Sequence, residues 1–404
     1  MRRTSENDRS QLFERARHAE WTGDSLAATL AAEWKLADPN LPADLRDGAH
    51  AIQALHAPFL ADLAPSFTTR RLPIPSRDGR WSFNPSIAKA DDGFLALVRQ
   101  SNYTLYPWYQ HAPQGIVRDE VVLARLDRNL ALTETQLLTD LTGRTVDPLH
   151  IHPGFLDPRP FWNGDHWSAV VCHTRREDAL DHPKRYSVVG RQGLVDLDLE
   201  AGALTNFRDL QRGVQRDPQK NWLPVIGVPG PLLAYSLSPT VLLQWDDHTG
   251  TAQRREVHPG WPQLAHIHGG SQLVPLPDGG WIVLAHQVSR LLPQRLMLPY
   301  HQSGVLYLDR FLRLDHEFRV THASLPFTFH RRGVQFGSGL ALDGDRLVLS
   351  YGVEDNECWV GELPLAEALA TLYPLAEGVP VTAPAPAPPI IVGVVTAEAD
   401  EPAL

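Results

Sequence analysis

A chain of 404 residues, 43% hydrophobic and 21% charged, carries enough apolar surface for a full-sized core, which excludes wholesale disorder. Its formal net charge of -10 excludes a broad phosphate-backbone surface, since nucleic-acid binding needs clustered cations. Two cysteines, Cys172 and Cys358, are too few for a disulfide scaffold. No apolar run approaches the roughly 20 residues of a membrane span, so neither nucleic acid nor membrane is an expected partner. The start MRRTSENDRSQLFERAR lacks the apolar stretch of a secretory signal, and a cytoplasmic location is expected.

Residues from about 8 to 65 read as helices. Leu26, Leu30 and Trp34 recur at four-residue spacing, as do Leu41 and Leu45, and Ile52, Leu55, Phe59 and Leu63 continue a helical stripe. Asp24 or Ser25 can cap the first helix. Pro65 and the segment LPIPSRDGR then break the pattern, so a helical extension is assigned to 1–70.

From about 80 to 365 the chain consists of short β-branched or aromatic runs separated by Gly, Asp and Pro, the signature of strands. A repeat underlies them. A small or polar cluster opens a short strand, a tight turn follows, then a longer apolar strand, then a later strand with a polar stop. The copies begin at NPSIAKADDGFLALVRQ, DPRPFWNGDHWSAVVCHT, KNWLPVIGVPGPLLAYS, GGSQLVPLPDGGWIVLAHQ and GVQFGSGLALDGDRLVLSYG. Five small antiparallel sheets, none able to bury both faces alone, make an all-β, five-bladed β-propeller over 71–370. A pair of β-sandwiches accounts for the strand number but not for the cluster that opens each unit. Residues 371–404 read as the end of a short helix and a disordered tail that is Pro/Ala-rich, then acidic.

The innermost strand of each propeller blade lines the central channel, so the openers converge: Asn84, Asp157, Arg159, Lys220, Asn221, Gly270, Ser271 and Phe336. Among them are a carboxylate fit for acid catalysis, two cations and orienting amides. Pro158 and Pro160 stiffen the backbone around Asp157 and Arg159, which form either a reactive pair or a structural turn. Lys220 is one of four lysines and precedes Trp222, an aromatic face able to stack on a sugar or else a core residue. Arg99 ends an apolar strand and must pair with a carboxylate or bind an anion. Asp355 sits in SYGVEDNE as a site residue or as turn chemistry. Of the 18 histidines, His150, His152, His266 and His268 invite a metal reading, but zinc-spaced cysteines are absent and no metal is assigned; His286 is better placed as a funnel residue. Serine-hydrolase, nucleotide and dinucleotide motifs are absent.

FNPSIA with the strand ending at Arg99, DPR at Asp157 to Arg159, KNW-x-P from Lys220 to Pro224, GGS before GW-I-V-L-A-H, and FGSGLALDGDRLVLSYGVED together resemble glycoside hydrolase family 130. That group comprises β-mannoside phosphorylases and hydrolases on five-bladed propellers. The likeness runs over residues 80 to 365 in blade order, and is nearer still to propellers found beside glycosyltransferases and tetratricopeptide helices. It implies inverting phosphorolysis or glycosyl transfer on a β-mannoside-like substrate. Asp157 would then be the general acid, Arg159 and Lys220 would hold phosphate, and Asn84 and Asp355 would touch the sugar. It also implies an oligosaccharide or glycoside substrate, inorganic phosphate as co-substrate with no cofactor, and a glycosyltransferase partner or a homo-oligomer. Leu156 stands where the family usually has Glu. The alternatives are an inverting hydrolase, with Asp147, Glu354 or Asp355 as base, and a non-catalytic sugar-binding propeller.

Overall fold

The computed structural model describes residues 23–103, 117–144, 154–178, 186–210, 220–246, 251–290 and 305–375. Five antiparallel sheets follow one another along the chain. Blade I is Trp81–Ala90, Gly93–Ser101, Asp119–Leu126 and Leu132–Leu137. Blade II is Leu156–Trp162, Trp167–Asp178, Tyr186–Asp198 and Ala203–Asp209, with Thr139–Asp140 added in parallel at its edge. Blade III is Leu223–Pro224, Leu232–Leu237, Thr240–Asp246 and Thr251–His258. In blade IV the inner strand is broken into Ile267–Gly269 and Val274–Pro275, followed by Trp281–Arg290, Val305–Leu314 and Val320–Ser324. Blade V is Gln335–Asp343, Arg346–Val353 and Glu357–Pro364. Its fourth strand, Thr68–Leu72, comes from before blade I and pairs antiparallel with Glu357–Pro364.

Alternation along the strands closes the ring. Side chains of successive residues point to opposite faces. In blade I, Phe94, Ala96 and Val98 therefore pack with Ala341, Val348 and Val360 of blade V, while Leu95 and Leu97 pack with Ala169, Val171 and Val195 of blade II. Val170 and Leu194 turn the other way, towards Leu233 and Leu243 of blade III. Leu242 and Val283 join blades III and IV, and Ile282 and Leu284 meet Leu340 and Leu349 of blade V. Both faces of every blade are covered, which is why the central strands read as nearly unbroken apolar runs.

Among the described residues, three helices precede the propeller: α1 (Gly23–Leu36) and α2 (Ala43–His56), joined by a core of Ala32, Leu36 and Ala49, and the single turn Leu60–Leu63. Leu26 and Leu30 of α1 pack against the core between blades III and IV, but Trp34 is 60% exposed and Leu45 of α2 is 55% exposed, contrary to the apolar stripes expected of them. A four-residue step overshoots a helical turn by about 40°, so the third member rotates off the face. The buried side of α1 carries Ser25, Thr29 and Glu33 instead. Glu33 is selected by Arg310 of blade IV: NH1 and NH2 donate to its two carboxylate oxygens at 2.8 and 2.7 Å, and both side chains are 0% exposed. Tyr373 Oη adds a third bond at 2.6 Å, and Gln53 Nε2 of α2 a fourth. The extension is thereby locked onto blade IV.

The boundary expected at residue 70 falls inside Thr68–Leu72. At the other end the short helix, Leu365–Ala370, precedes residue 371, and Leu372–Pro374 is a strand on the edge of blade IV. The Pro/Ala-rich tail from residue 383 lies outside the described residues. Among them, no helix is long and apolar enough to cross a membrane.

Candidate functional site

Three blades carry the same device at the head of the inner strand. Pairing slips between Phe83 and Ser86 in blade I, between Leu156 and Arg159 in blade II and between Gly337 and Gly339 in blade V. A bulge bends the strand and re-aims a side chain. Asn84 and Asp157 occupy the first two with φ of 50° and 47°, and Asn221, just ahead of the blade III inner strand, has φ of 63°. Asn and Asp tolerate this left-handed backbone better than other side-chain-bearing residues, which accounts for their place in the opening clusters. Because all inner strands run the same way, these residues gather at one mouth of the ring.

Asn84 Nδ2 donates to Asp157 Oδ1 at 2.9 Å, and Arg99 NH1 stands 3.6 Å from the same oxygen. Arg99 reaches in from the second strand of blade I. Its Nε donates to Asp119 Oδ1 at 2.7 Å, and its guanidinium carbon lies 4.9 Å from the centre of the Phe83 ring and 5.3 Å from that of Tyr103. Burial opposes the charge on Arg99, but Asp119, Tyr103 and Asp157 together hold its pKa well above the ordinary value. The carboxylate pairing, one of the two readings open for Arg99, is present. Tyr103 Oη donates to Asp355 Oδ2 at 3.1 Å, bringing a second carboxyl from blade V to the same guanidinium. Asp355 and its neighbour Glu354 have φ of 48° and 51°, strain that the surrounding structure must hold in place.

Loss of hydration pushes the Asp355 carboxyl up to about 6; Arg99 pulls it down and Asp157 pushes it further up. The folded state then holds this proton more tightly than the unfolded chain, whose Asp titrates near ~3.9. The contribution to stability is greatest below pH ~4, falls as pH rises towards about 6 and is level above that. Asp355→Asn removes the fall, so the variant gains on the wild type across that window. Urea midpoints measured from pH 4 to 8 check this, and a constant difference between the two proteins overturns it.

Other expected site residues have structural duties. Arg159 is 1% exposed; its Nε donates to Gly270 O at 2.7 Å, NH2 to Asn221 Oδ1 at 3.2 Å and NH1 to Asp157 O at 3.4 Å. Burial lowers its pKa to about 10, with Asp157 opposing. It braces blades II, III and IV at the mouth instead of standing open to an anion. Trp222 is 2% exposed within the core between blades II and III, edge-on to Tyr235, so its face is not free for a sugar. Ser271 is wholly buried: its Oγ donates to Gln272 O and accepts from Leu284 N, both at 2.9 Å, which stabilises the break in the blade IV inner strand.

Lys220 is exposed, its stem running beside Cys172 and the backbone of Gly190 in blade II. His286 is 3% exposed, stacked on Tyr307 and edge-on to Phe336, with His268 5.5 Å away. Burial first, then His268 and Arg159, keep its pKa well below the ordinary value, so it is a neutral ring in the wall. Gln287, the next residue, donates to Gln53 of α2 at 3.0 Å, and His50 of α2 meets His266 at 5.3 Å. The helical extension thus abuts the wall of the funnel at blade IV.

His150, His152 and Asp147 lie outside the described residues. Among the described ones, no three His, Cys, Asp or Glu side chains converge as a metal site requires. Asp119 and Tyr103 are the residues that the opening clusters did not reveal. The signal for Asp119 was Arg99 itself, since a cation inside an apolar strand calls for a carboxylate on the next one.

No family model matches the chain, and no curated protein matches it. Among solved structures, it is similar to a β-1,2-mannobiose phosphorylase from Listeria innocua in complex with β-1,2-mannobiose, with 14% identity, 76% of this chain and 98% of that chain covered and a TM-score of 0.47. It is similar to a glycoside hydrolase of family 130 that targets β-1,2-mannosidic linkages in Candida mannan, with 13% identity, coverage of 70% and 84% and a TM-score of 0.48. A mannose phosphorylase from Leishmania mexicana in complex with a phosphate ion gives 11% identity, coverage of 76% and 90% and a TM-score of 0.43. The five-bladed architecture rests on the sheet order and the ring of cores described above.

Proposed function

We propose that this propeller is a carbohydrate-active enzyme that cleaves or forms a β-mannoside-like bond with inversion, by phosphorolysis or glycosyl transfer. The observation that carries the reading is the Asp157 carboxylate, turned into the mouth by a bulge and held by Asn84 and Arg99, with Asp355 sharing the same guanidinium network. The resemblance in FNPSIA, DPR and KNW-x-P supports the substrate class.

In phosphorolysis an oxygen of inorganic phosphate attacks the anomeric carbon as the bond to the bridging oxygen breaks. Asp157, directly or through a sugar hydroxyl, delivers the proton that the leaving oxygen takes up. The products are a sugar 1-phosphate and the shortened acceptor. Asn84 and Asp355 orient hydroxyls of the sugar. With Arg159 committed to Gly270 and Asn221, the exposed Lys220 is the cation left in the opening clusters to meet the phosphate.

The commitment of Arg159 also favours a second reading, hydrolysis, in which Asp355 activates water and Asp157 remains the acid. Incubation of the purified protein with β-linked manno- and gluco-oligosaccharides, with and without phosphate, separates the two. Sugar 1-phosphate formed only with phosphate is the expected result. Free sugar regardless of phosphate establishes the hydrolase, and no product from any substrate refutes phosphorolysis and hydrolysis and leaves a glycosyl transferase or a sugar-binding propeller.

A further inference from the structure

The inner strand of blade I runs from the mouth at Asn84 to Ala90, and that of blade II from Asp157 to Trp162. The turns that follow, at 91–92 and 163–166, therefore lie on the opposite face of the ring. Between them opens a cavity of about 670 Å³, within the size range of small-ligand sites. Trp162 and Trp167 line it together with Asp91, Asp92 and Asp127.

Trp162 is 49% exposed, unusual for so large an apolar side chain, and packs edge to face on Trp167 at 5.8 Å between ring centres. The two cations of the lining are engaged elsewhere: Lys89 Nζ is 3.1 Å from Asp343 and Arg125 Nε is 3.4 Å from Glu134. The cavity therefore offers an indole and carboxylates with no cation to spare, which disfavours an anionic ligand. The carboxylates disfavour a purely apolar one. The edge-to-face pair leaves a single indole face, in place of the several-faced cage typical of quaternary-ammonium sites. A neutral polyol with one apolar side fits all three constraints.

We propose that this cavity is a second saccharide site, remote from Asp157, in which the indole of Trp162 stacks on a sugar ring and Asp91 and Asp92 accept its hydroxyl protons. It would anchor a glycan chain on the face opposite the funnel. The site does not depend on the reaction proposed above.

Calorimetric titration of the full chain with β-1,4-mannohexaose and cellohexaose tests it, using wild type, Trp162→Ala, Trp162→Phe, Asp92→Asn and Asp157→Asn. Because Trp162 is half exposed, its replacement is compatible with folding, which matched melting curves verify. The expected result is one class of site weakened at least tenfold in Trp162→Ala and in Asp92→Asn, retained in Trp162→Phe and in Asp157→Asn, with wild-type turnover in Trp162→Ala. Binding of neither probe by the wild type, binding indifferent to Trp162→Ala, or displacement of the sugar by tetramethylammonium overturns the proposal. Trp162-dependent binding by a protein without turnover refutes the catalytic reading and leaves this one standing.

Discussion

Asp157→Asn lowers turnover on the order of 10²–10⁴-fold, the range lost with a positioned proton donor or acceptor. The variant is informative because so little else changes. The substituted amide keeps an oxygen to accept from Asn84 Nδ2, Arg99 keeps its 2.7 Å bond to Asp119, and Arg159 is held by the backbone oxygen of residue 157 and by Gly270 and Asn221. Asn also tolerates the left-handed backbone that Asp157 adopts. The melting temperature should therefore stay close to that of the wild type while the rate collapses. A variant that turns over normally would reduce Asp157 to a structural residue of the bulge. Loss of fold together with rate would point the same way.

Glu33→Ala destabilises the protein by about 3–5 kcal/mol, the usual penalty for removing one partner of a buried ion pair. The cost has little to do with the strength of the pair. It arises because the Arg310 guanidinium is left charged at 0% exposure, and Tyr373 and Gln53 lose the acceptor they share. Replacing both partners by apolar residues, Glu33→Leu with Arg310→Met, removes the stranded charge and should recover most of the loss. Urea unfolding monitored by tryptophan fluorescence checks both variants. A single variant within about 1 kcal/mol of the wild type would mean that the helices are a loosely attached appendage, because the penalty exists only if α1 stays docked when the propeller folds.

The blades were legible because each is buried on both faces, so the repeat is written in its own apolar runs and in the Asn, Asp or Gly that opens it. The position of Asn84, Asp157 and Asn221 at the mouth was legible for the same reason: the left-handed backbone that aims them also restricts their identity. Trp222 and Ser271 occupy equivalent repeat positions, yet Trp222 is covered by blade III and Ser271 is consumed by Leu284 and Gln272. No local pattern distinguishes an opener that faces the channel from one that faces a neighbour, since the difference lies between blades. Trp34 misled in the same manner: hydrophobic spacing put it inside, but a cation 277 residues away put Glu33 there. Leu372–Pro374 is three residues long, too short for any periodicity to appear.

The strand that completes blade V has a consequence for how the protein is made. Thr68–Leu72 pairs with 358–362, so during synthesis it emerges from the ribosome nearly 300 residues before its partner. At the roughly 5–20 residues per second of translation, its hydrogen-bonding edge waits at least ~15 seconds. An unpaired edge is a template for wrong partners, yet this one reads TTRRL, with two arginines beside two threonines. The charges that look unremarkable on the finished propeller protect the chain during the interval when the ring cannot yet close.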